Sequence, residues 1–401
     1  MLSWDHTPSI ASMRCCRAWV EIDLAALTHN VRQLKSCLAA NTDLMAVVKA
    51  DAYGHGAVTV AKTALAAGAT WLGVATVPEG IELRQAAIQA PIMLLGAVNS
   101  PAEVQAIVRW QLQPTLVSPK QALVFSDAIA QSGFSAAAPL SVHLKLDTGM
   151  TRLGFSWERA VEFYQFVQQL PHLEIASVYS HLATADSPDQ HTMQQQQQRF
   201  DTAIAQLQAR KLIPPRLHLA NSAAMLTDAT LHYDLVRTGL VLYGLYPAPH
   251  LAKQIDLHPV LQVKARITHI KTIAEGTGVS YGHQFIADGP MRIAVVGIGY
   301  ADGVPRLLSN RLQVIVQGTL ANQLGAITMD QMMIDVTHLP NLQTDDVVTL
   351  IGHEGTVSRS AETWAEALGT ISWEILCGFK HRLPRITGTG SKSVQASLDI
   401  S

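Results

Sequence analysis

Apolar residues between Trp19 and Tyr246 form short continuous runs that alternate with amphipathic segments. Eight of these runs look like strands, at residues 46–48, 71–75, 92–95, 115–117, 142–146, 175–179, 217–219 and 235–236. Continuous runs are typical of parallel strands that are buried on both faces. Strand–helix alternation allows a doubly wound sheet or a closed barrel. A doubly wound sheet would not need eight repeats, so the pattern predicts an α/β fold with an N-terminal (β/α)8 TIM-type barrel.

An extra apolar stretch, residues 19–22, precedes these eight runs. After it, apolar residues spaced by three and four predict a helix, at Leu24, Leu27, Val31, Leu34 and Leu38. Asp23 is placed to cap that helix. The extra strand is free to pair with a sheet outside the barrel. The glutamine run at residues 194–198 lies in another helical pattern and indicates a solvated helix face.

The pattern changes after Pro247 and Pro249. Alternating apolar positions follow, and residues 291–297, 312–316, 332–336 and 347–351 predict short antiparallel strands. The domain prediction is an N-terminal extension at 1–16, a barrel at 17–250, a mostly β domain at 251–386 and a flexible tail at 387–401.

Composition narrows the class of protein. The chain has 401 residues, 48% of them hydrophobic and 15% charged, with a net charge of -2, so we expect a globular enzyme without nucleic-acid or membrane partners. The four cysteines show no metal-binding or disulfide spacing, and we expect no metal. The first 16 residues lack the apolar run of a signal peptide. A cytoplasmic protein is predicted.

Lys49 is the most informative single residue, because it ends an apolar strand in the run Ala-Val-Val-Lys-Ala-Asp-Ala-Tyr-Gly-His-Gly. A buried cation is unfavourable, and condensation with an aldehyde cofactor would neutralise it. Tyr53 and the glycines after Lys49 suggest a ring or phosphate contact on a tight turn. Further polar residues follow other strands, at Lys145, His181, Ser222 and 237–239. In a barrel, the strand C-termini carry the chemistry.

Each of these residues also has a purely structural interpretation. Ser222 suits a helix N-cap, which we weigh first, and Arg237 could pair with an acid. Lys145, Asp147 and Arg152 could form an ion-pair cluster, or Arg152 could bind a substrate carboxylate. His181 fits a core position or a polar network about equally well. Other glycine-bracketed or polar turns contain Tyr281, Tyr300 and Met329; taken alone, Tyr281 would count as a packing residue.

The motifs together resemble those of the alanine racemase family, over residues 18–385 and in the same order. The Lys49 run is specific to the wider barrel group. Val279-Ser280-Tyr281-Gly282, Gly299-Tyr300-Ala301-Asp302-Gly303 and Met329-Asp330-Gln331 are specific to the two-domain racemases.

The resemblance implies pyridoxal 5'-phosphate as cofactor and a homodimer that interconverts L- and D-alanine, supplying D-alanine for peptidoglycan. It implies two acid/base groups, Lys49, which also holds the cofactor, and Tyr281 from the other subunit. Arg237 would bond the pyridine nitrogen, and His181 would link Arg237 to Tyr281. The remaining implied roles are phosphate binding by Tyr53, Ser222, Gly239 and Leu240, substrate-carboxylate binding by Arg152 and the backbone of Met329, and carbamylation of Lys145.

Two positions depart from the family pattern. Thr328 stands where many members have a cysteine, and His381 is the candidate for a phosphate contact that some members make with a tyrosine. Alternatives are a broad-specificity or serine racemase, a decarboxylase of basic amino acids, and a non-catalytic cofactor carrier. The carrier proteins lack a β domain and the equivalent of Tyr281. A decarboxylase would require a cysteine as general acid and a larger pocket than Tyr281, Tyr300 and Met329 suggest.

Overall fold

The computed structural model describes residues 17–131, 139–252 and 254–388. The predicted N-terminal extension and residues 389–401 of the predicted tail lie outside these ranges. The chain divides into two compact units. One, here called the barrel unit, comprises residues 26–52 and 57–258, and the other, the β unit, comprises the described parts of residues 1–25, 53–56 and 259–401.

The barrel unit contains an eight-stranded parallel sheet. In sheet order its strands are Leu235–Thr238, Asp43–Val47, Trp71–Val74, Ile92–Ala97, Gln113–Leu116, Leu140–Asp147, Leu173–Tyr179 and Leu217–His218. The two outer strands meet through bonds from Asp234 N–H to the Leu217 carbonyl (3.0 Å) and from Arg237 N–H to the Ala220 carbonyl (3.1 Å). All eight predicted strands are present, and the predicted (β/α)8 barrel is confirmed.

Helices follow most of these strands, as the apolar periodicity predicted. They are Leu24–Ser36, Ala57–Ala67, Val77–Gln85, Pro101–Arg109, Pro119–Gln131, Ala160–Gln168, His191–Ala209 and Ser222–Thr227. Short 3-10 turns lie at Trp157–Arg159, Ala229–Leu231, Leu240–Tyr243 and Pro249–Leu251. The first helix buries Leu27, Val31 and Leu34, and the Asp23 carboxylate accepts a 2.9 Å hydrogen bond from Ala25 N–H, as a capping residue should.

The helical turn Lys49–Gly54 is left-handed over its central residues. The φ angles of Ala50, Asp51, Ala52 and Tyr53 lie between 52° and 55°. This conformation costs L-residues roughly 1–2 kcal/mol each, so the surrounding structure must enforce it. Gly54 continues the turn with φ 84°, and a Cβ there would lie 2.5 Å from the carbonyl oxygen of Leu376.

The β unit is built around a closed antiparallel ring. Six strands pair in sequence around it, Leu261–Ile273, Met291–Val296, Met332–Asp335, Thr319–Leu324, Gln313–Val316 and Val347–Glu354, and the last pairs with the first. Val357–Arg359 pairs antiparallel with the end of Val347–Glu354, while Gly278–Val279 and Phe285–Ile286 form a separate hairpin. Two helices, Ala361–Leu368 and Ser372–Gly378, and the 3-10 turns Tyr281–His283, Tyr300–Asp302 and Arg306–Leu308 complete the unit. The predicted mostly β architecture is confirmed.

The first and last described strands pair with each other. Ala18–Asp23 runs antiparallel to Leu261–Ile273 and parallel to Arg385–Gly388. Thr387 and Gly388, predicted as part of the flexible tail, are therefore strand residues, because they pair with Ile22 and Asp23. Among the described residues, none of the helices is both long and apolar enough to cross a membrane.

Candidate active site

Arg237 ends a barrel strand and is buried, with 4% exposure. Its guanidinium donates to the carbonyls of Ser180 (2.8 Å) and Leu219 (3.0 Å), and to the Nδ1 atoms of His218 (2.8 Å) and His181 (3.2 Å). The predicted alternative, an acidic partner for Arg237, is therefore wrong within the described residues. Burial lowers the pKa of Arg237 to about 10, so it remains a cation at neutral pH.

Behind Arg237 lies a chain of buried polar side chains. His218 Nε2 lies 2.8 Å from Ser177 Oγ, which lies 2.7 Å from His143 Nδ1, and His143 Nε2 lies 2.9 Å from Gln113 Oε1. Since Arg237 can only donate, His218 accepts at Nδ1 and carries its proton on Nε2. Ser177 then accepts from His218 and donates to His143. Both histidines are thus neutral and of fixed tautomer.

Electrostatics agree with this assignment. Burial, with a contribution from Arg216, lowers the pKa of His143 to about 3. Burial and Arg237 lower the pKa of His218 well below its usual value. The pKa of His181 is also well below its usual value, because the residue is buried near Arg237 and Lys145. A neutral His181 that accepts from Arg237 at Nδ1 carries a proton on Nε2 that it can donate.

Lys49 begins the left-handed turn one residue after Val48, whose N–H donates to the Gly73 carbonyl over 2.8 Å. The Glu79 carboxylate accepts from the backbone N–H groups of Ala50 (2.8 Å), Ala75 (2.7 Å) and Thr76 (3.0 Å). Glu79 thus connects the turn after the strand Asp43–Val47 to the end of the strand Trp71–Val74. Glu79 also completes a helix capping box with Thr76, and its bond to Ala50 could not be seen from sequence.

Lys145 is buried, with 5% exposure. Burial, Arg237 and Arg152 lower its pKa to about 8, so a minor fraction is neutral amine at pH 7 and more of it as the pH rises. The ion-pair interpretation of Lys145, Asp147 and Arg152 is wrong within the described residues, because none of the three forms a salt bridge there. Asp147 instead accepts from the N–H groups of Gly149 (2.9 Å) and Thr151 (3.1 Å), and Arg152 is exposed.

Ser222 is not the cap of its helix. Asn221 caps it by accepting from the N–H groups of Ala223 (3.1 Å) and Ala224 (3.0 Å), so the N-cap interpretation of Ser222 is wrong. The Ser222 hydroxyl instead accepts from Gly239 N–H over 2.9 Å. This bond brings together the loops after the last two barrel strands, the usual location of a phosphate site in this fold. Leu240 is buried beside Gly239.

Gln196 lies in the glutamine run but not on a solvated face. It is buried, accepts from Ala183 N–H over 2.8 Å and donates to the His181 carbonyl over 3.0 Å. Gln196 therefore holds the backbone on both sides of Leu182. The regular helical spacing of the run gave no signal for this role.

In the β unit, Tyr281 lies on a strained turn and is 73% exposed. Ser280 has φ 64° and ψ -172°, a region that is essentially restricted to glycine. The Ser280 hydroxyl donates to the Ala326 carbonyl over 2.7 Å. A Cβ on Gly325 would lie 2.4 Å from the Val279 carbonyl oxygen, so this close approach requires glycine. The surrounding backbone therefore dictates the position of Tyr281.

Met329 lies beside the glycine motif that precedes it in sequence. Its carbonyl accepts from Ala301 N–H over 3.0 Å, and a Cβ on Gly299 would lie 2.5 Å from the same oxygen. Asp302, fully buried, accepts from Arg17 at 2.6 and 2.8 Å and from Gly299 N–H at 2.9 Å. Arg17 was not predicted from sequence, because an arginine before a short strand gives no functional signal.

Two further predicted residues also belong to the β unit. Tyr53 is partly buried, and burial together with Cys377 raises the pKa of its hydroxyl to about 12, so the hydroxyl keeps its proton. His381 is exposed on the turn before the last strand.

Comparisons with known proteins agree with these observations. The family model described as "Alanine racemase, N-terminal domain" matches residues 22–247, and "Alanine racemase, C-terminal domain" matches residues 260–387. The chain belongs to the alanine racemase family. It is 65% identical over 370 residues to a protein named alanine racemase from Nostoc sp., covering 92% of this chain and 95% of that one.

Solved structures of alanine racemases have the same fold. One from Clostridium difficile 630 has a TM-score of 0.88 at 34% identity and covers 93% of this chain and 96% of its own. Another, from Bartonella henselae, is described with covalently bound pyridoxal phosphate. Its TM-score is 0.82 at 29% identity, and the match covers 93% of this chain and 99% of that one. The predicted assignment as an isomerase of the alanine racemase type is confirmed.

Proposed function

We propose that the chain interconverts L- and D-alanine with pyridoxal 5'-phosphate and uses Lys49 and Tyr281 as its two bases. The observation that carries this proposal is Arg237, a buried guanidinium whose described partners are all neutral. A cation kept in this way at a barrel strand end suits an anionic, nitrogen-containing cofactor.

The donor set of the barrel unit fits that cofactor. Four cations lie close enough for their charges to act on one another or on His181, namely Lys49, Lys145, Arg152 and Arg237. The region is therefore strongly positive. The Ser222 hydroxyl, which accepts from Gly239 N–H, has its own proton to donate to the phosphate, and Leu240 would lie beside it. Tyr53, in the β unit, is proposed as a further phosphate ligand. When bound, the cofactor delocalises electrons from the substrate Cα and makes its proton acidic.

Arg237 would face the pyridine nitrogen. Because a guanidinium at neutral pH does not give up its proton, that nitrogen stays unprotonated. Arg237 would thereby make the ring a weaker electron sink and limit side reactions such as transamination. The histidines behind Arg237 fix the direction in which its remaining N–H groups point.

Racemisation requires removal of a proton from one face of Cα and its return to the other. Lys49 Nζ would serve one face, and the Tyr281 hydroxyl the opposite face. The Nε2–H of neutral His181 would donate to the Tyr281 oxygen and stabilise its anionic form. General acid–base catalysis of this type contributes roughly 10²–10⁴-fold in rate.

We infer that Tyr281 acts in the active site of a second subunit in a homodimer. Its 73% exposure and the 53% exposure of Met329 are unusual for apolar side chains on conformationally restrained turns. Burial against a second chain would account for both. The Arg17–Asp302 pair would then stabilise the loop that presents Met329.

Arg152 and the backbone of Met329 would bind the substrate carboxylate. Lys145, whose amine is partly neutral near neutral pH, would react with carbon dioxide to form a carbamate. The negative carbamate would orient Arg152. We further propose that the D-alanine produced enters peptidoglycan and that the enzyme acts in the cytoplasm.

The direct test is an assay of the purified enzyme with each enantiomer of alanine, serine and lysine, followed by chiral analysis. We expect equal end mixtures from L- and D-alanine and much slower turnover of the other two. Preferred turnover of serine or of many amino acids would support a serine or broad-specificity racemase instead. Bound cofactor without racemisation of any amino acid would favour a carrier protein.

A further inference from the structure

A cluster of metal-ligand side chains lies in the barrel unit and consists of residues other than those of the candidate active site. It consists of His29, Asp256 and His258, whose ligand atoms all lie within 4.8 Å of one another. His29 belongs to the helix Leu24–Ser36, and Asp256 lies 227 residues later in the chain. Because of this separation, no spacing motif could reveal the cluster, and none was predicted from sequence.

The distances fit coordination of one ion. Both Nε2 atoms lie near the same carboxylate oxygen of Asp256, at 3.1 Å for His29 and 3.4 Å for His258, and His29 Nε2 also lies 3.1 Å from the Asp256 backbone carbonyl oxygen. Ligand atoms bound tetrahedrally to zinc at about 2.0–2.1 Å lie roughly 3.4 Å apart. The two imidazole rings stack with centroids 4.0 Å apart and planes 6° apart, and rotation of the 52% exposed His258 side chain would turn both Nε2 lone pairs toward one ion.

The backbone that carries these ligands is held by buried polar contacts. Asn30, next to His29, is fully buried; it accepts from His258 N–H over 2.8 Å and donates to the His258 and Leu242 carbonyls at 2.8 and 3.0 Å. The Tyr246 hydroxyl donates to the Ile255 carbonyl (2.8 Å) and accepts from Leu257 N–H (3.2 Å). Asn30 and Tyr246 therefore hold the backbone beside all three ligands, as supporting residues do in metal sites.

We propose that His29, Asp256 and His258 form a binding site for a divalent transition ion of the zinc type. Two imidazoles and one carboxylate favour zinc, cobalt, nickel or copper over magnesium and calcium, which prefer oxygen ligands. The side chains are 30%, 69% and 52% exposed, so an ion can enter from solvent and water can complete its coordination. The ion joins the first barrel helix to the segment that follows the last barrel strand.

The test is zinc binding by the full-length enzyme with its cofactor, measured by equilibrium dialysis after treatment with a chelator. The cluster variants are His29→Asn, His258→Gln and Asp256→Asn, and the matched control is His191→Asn, an exposed histidine at the start of another barrel helix. We expect wild type and His191→Asn to bind one more equivalent than the cluster variants, whose affinity at this site falls at least about tenfold.

Cobalt provides a second measurement, because the visible absorption of Co²⁺ reports nitrogen coordination and geometry. We expect this band in wild type and His191→Asn and its loss in Asp256→Asn, a change that preserves the shape of an exposed side chain. Zinc should also raise the melting temperature of wild type but not of the cluster variants. Two results would show that the three residues form an ion-pair cluster only. In one, the wild type binds no additional ion; in the other, the cluster variants bind zinc as the wild type does.

Discussion

The Nη1 atom of Arg237 lies 2.8 Å from Nδ1 of His218, and this bond fixes the protonation of a line of buried side chains. Because the guanidinium can only donate, His218 is neutral and passes its own proton toward Ser177 and His143. These hydrogen-bonded side chains therefore have a single arrangement of hydrogens. They fix the orientation of the guanidinium of Arg237, which is proposed to meet the cofactor.

Replacing His218 should affect the cofactor as well as stability. In His218→Ala, a buried guanidinium N–H loses its acceptor and a cavity forms, so we expect a loss of about 3–5 kcal/mol in the free energy of unfolding. His143→Ala is the matched control, since it opens a similar cavity without a direct contact with Arg237. Denaturant unfolding and the visible absorbance of bound cofactor are the measurements. Only His218→Ala should shift that absorbance, and an equal shift in both variants would contradict this role.

The buried histidines should make the fold sensitive to acid. The pKa of His143 is about 3 in the folded chain against 6.5 ordinarily, so between these values the unfolded state binds the extra proton. Stability therefore falls as pH drops below 6.5, by about 1.4 kcal/mol per pH unit for each such group. His143→Gln should show a shallower dependence when unfolding midpoints are measured at several pH values. An unchanged slope would mean that His143 is protonated in the folded protein.

Lys145 should react with carbon dioxide. Its pKa of about 8 provides neutral amine near neutral pH, and more of it as the pH rises through that value. With ¹³C-labelled bicarbonate, we expect a carbamate signal by NMR in wild type and in Lys62→Gln, an exposed control, but not in Lys145→Gln. Through Arg152, Lys145→Gln should raise KM for alanine more than it lowers kcat. A carbamate signal that survives in Lys145→Gln would place the modification elsewhere.

Gly325 tests whether the turn positions Tyr281. In Gly325→Ala, the new Cβ would lie 2.4 Å from the Val279 carbonyl oxygen, so the turn must shift. Gly318→Ala is the control, because its φ of 71° is nearly the same as the 69° of Gly325 while a Cβ there meets nothing within 4 Å. Both variants carry the strain of alanine at positive φ, but only Gly325→Ala should lose kcat by about tenfold or more while keeping its cofactor. Equal kcat values would show that the turn does not position the tyrosine.

The sequence predicted the fold well, because buried parallel strands and alternating antiparallel strands leave different patterns. All eight barrel strands were located from apolar runs alone. Ser222 was misjudged, since either it or Asn221 fits a cap, and only the backbone geometry shows that Asn221 occupies that position.

The residues missed from sequence act through contacts between distant segments. Glu79, Gln196 and His218 each hold the backbone or side chain of a residue near the site, but a buried hydrogen bond leaves no periodic signal. Arg17 was missed for the same reason, because its partner Asp302 is 285 residues away. Motifs identified the proposed chemical groups, whereas their supporting residues required the structure.

Lys49 and Tyr281 are proposed to form one active site from two chains. Lys49→Ala and Tyr281→Phe chains, each inactive alone, can be co-expressed with different affinity tags, and the dimer carrying both tags isolated. Such a dimer contains one site with wild-type Lys49 and Tyr281 and one site lacking both, so we predict about half of the wild-type racemisation rate. An inactive mixed dimer would show that both groups come from the same chain. Racemisation at the wild-type rate by the Tyr281→Phe homodimer would contradict the two-base account itself.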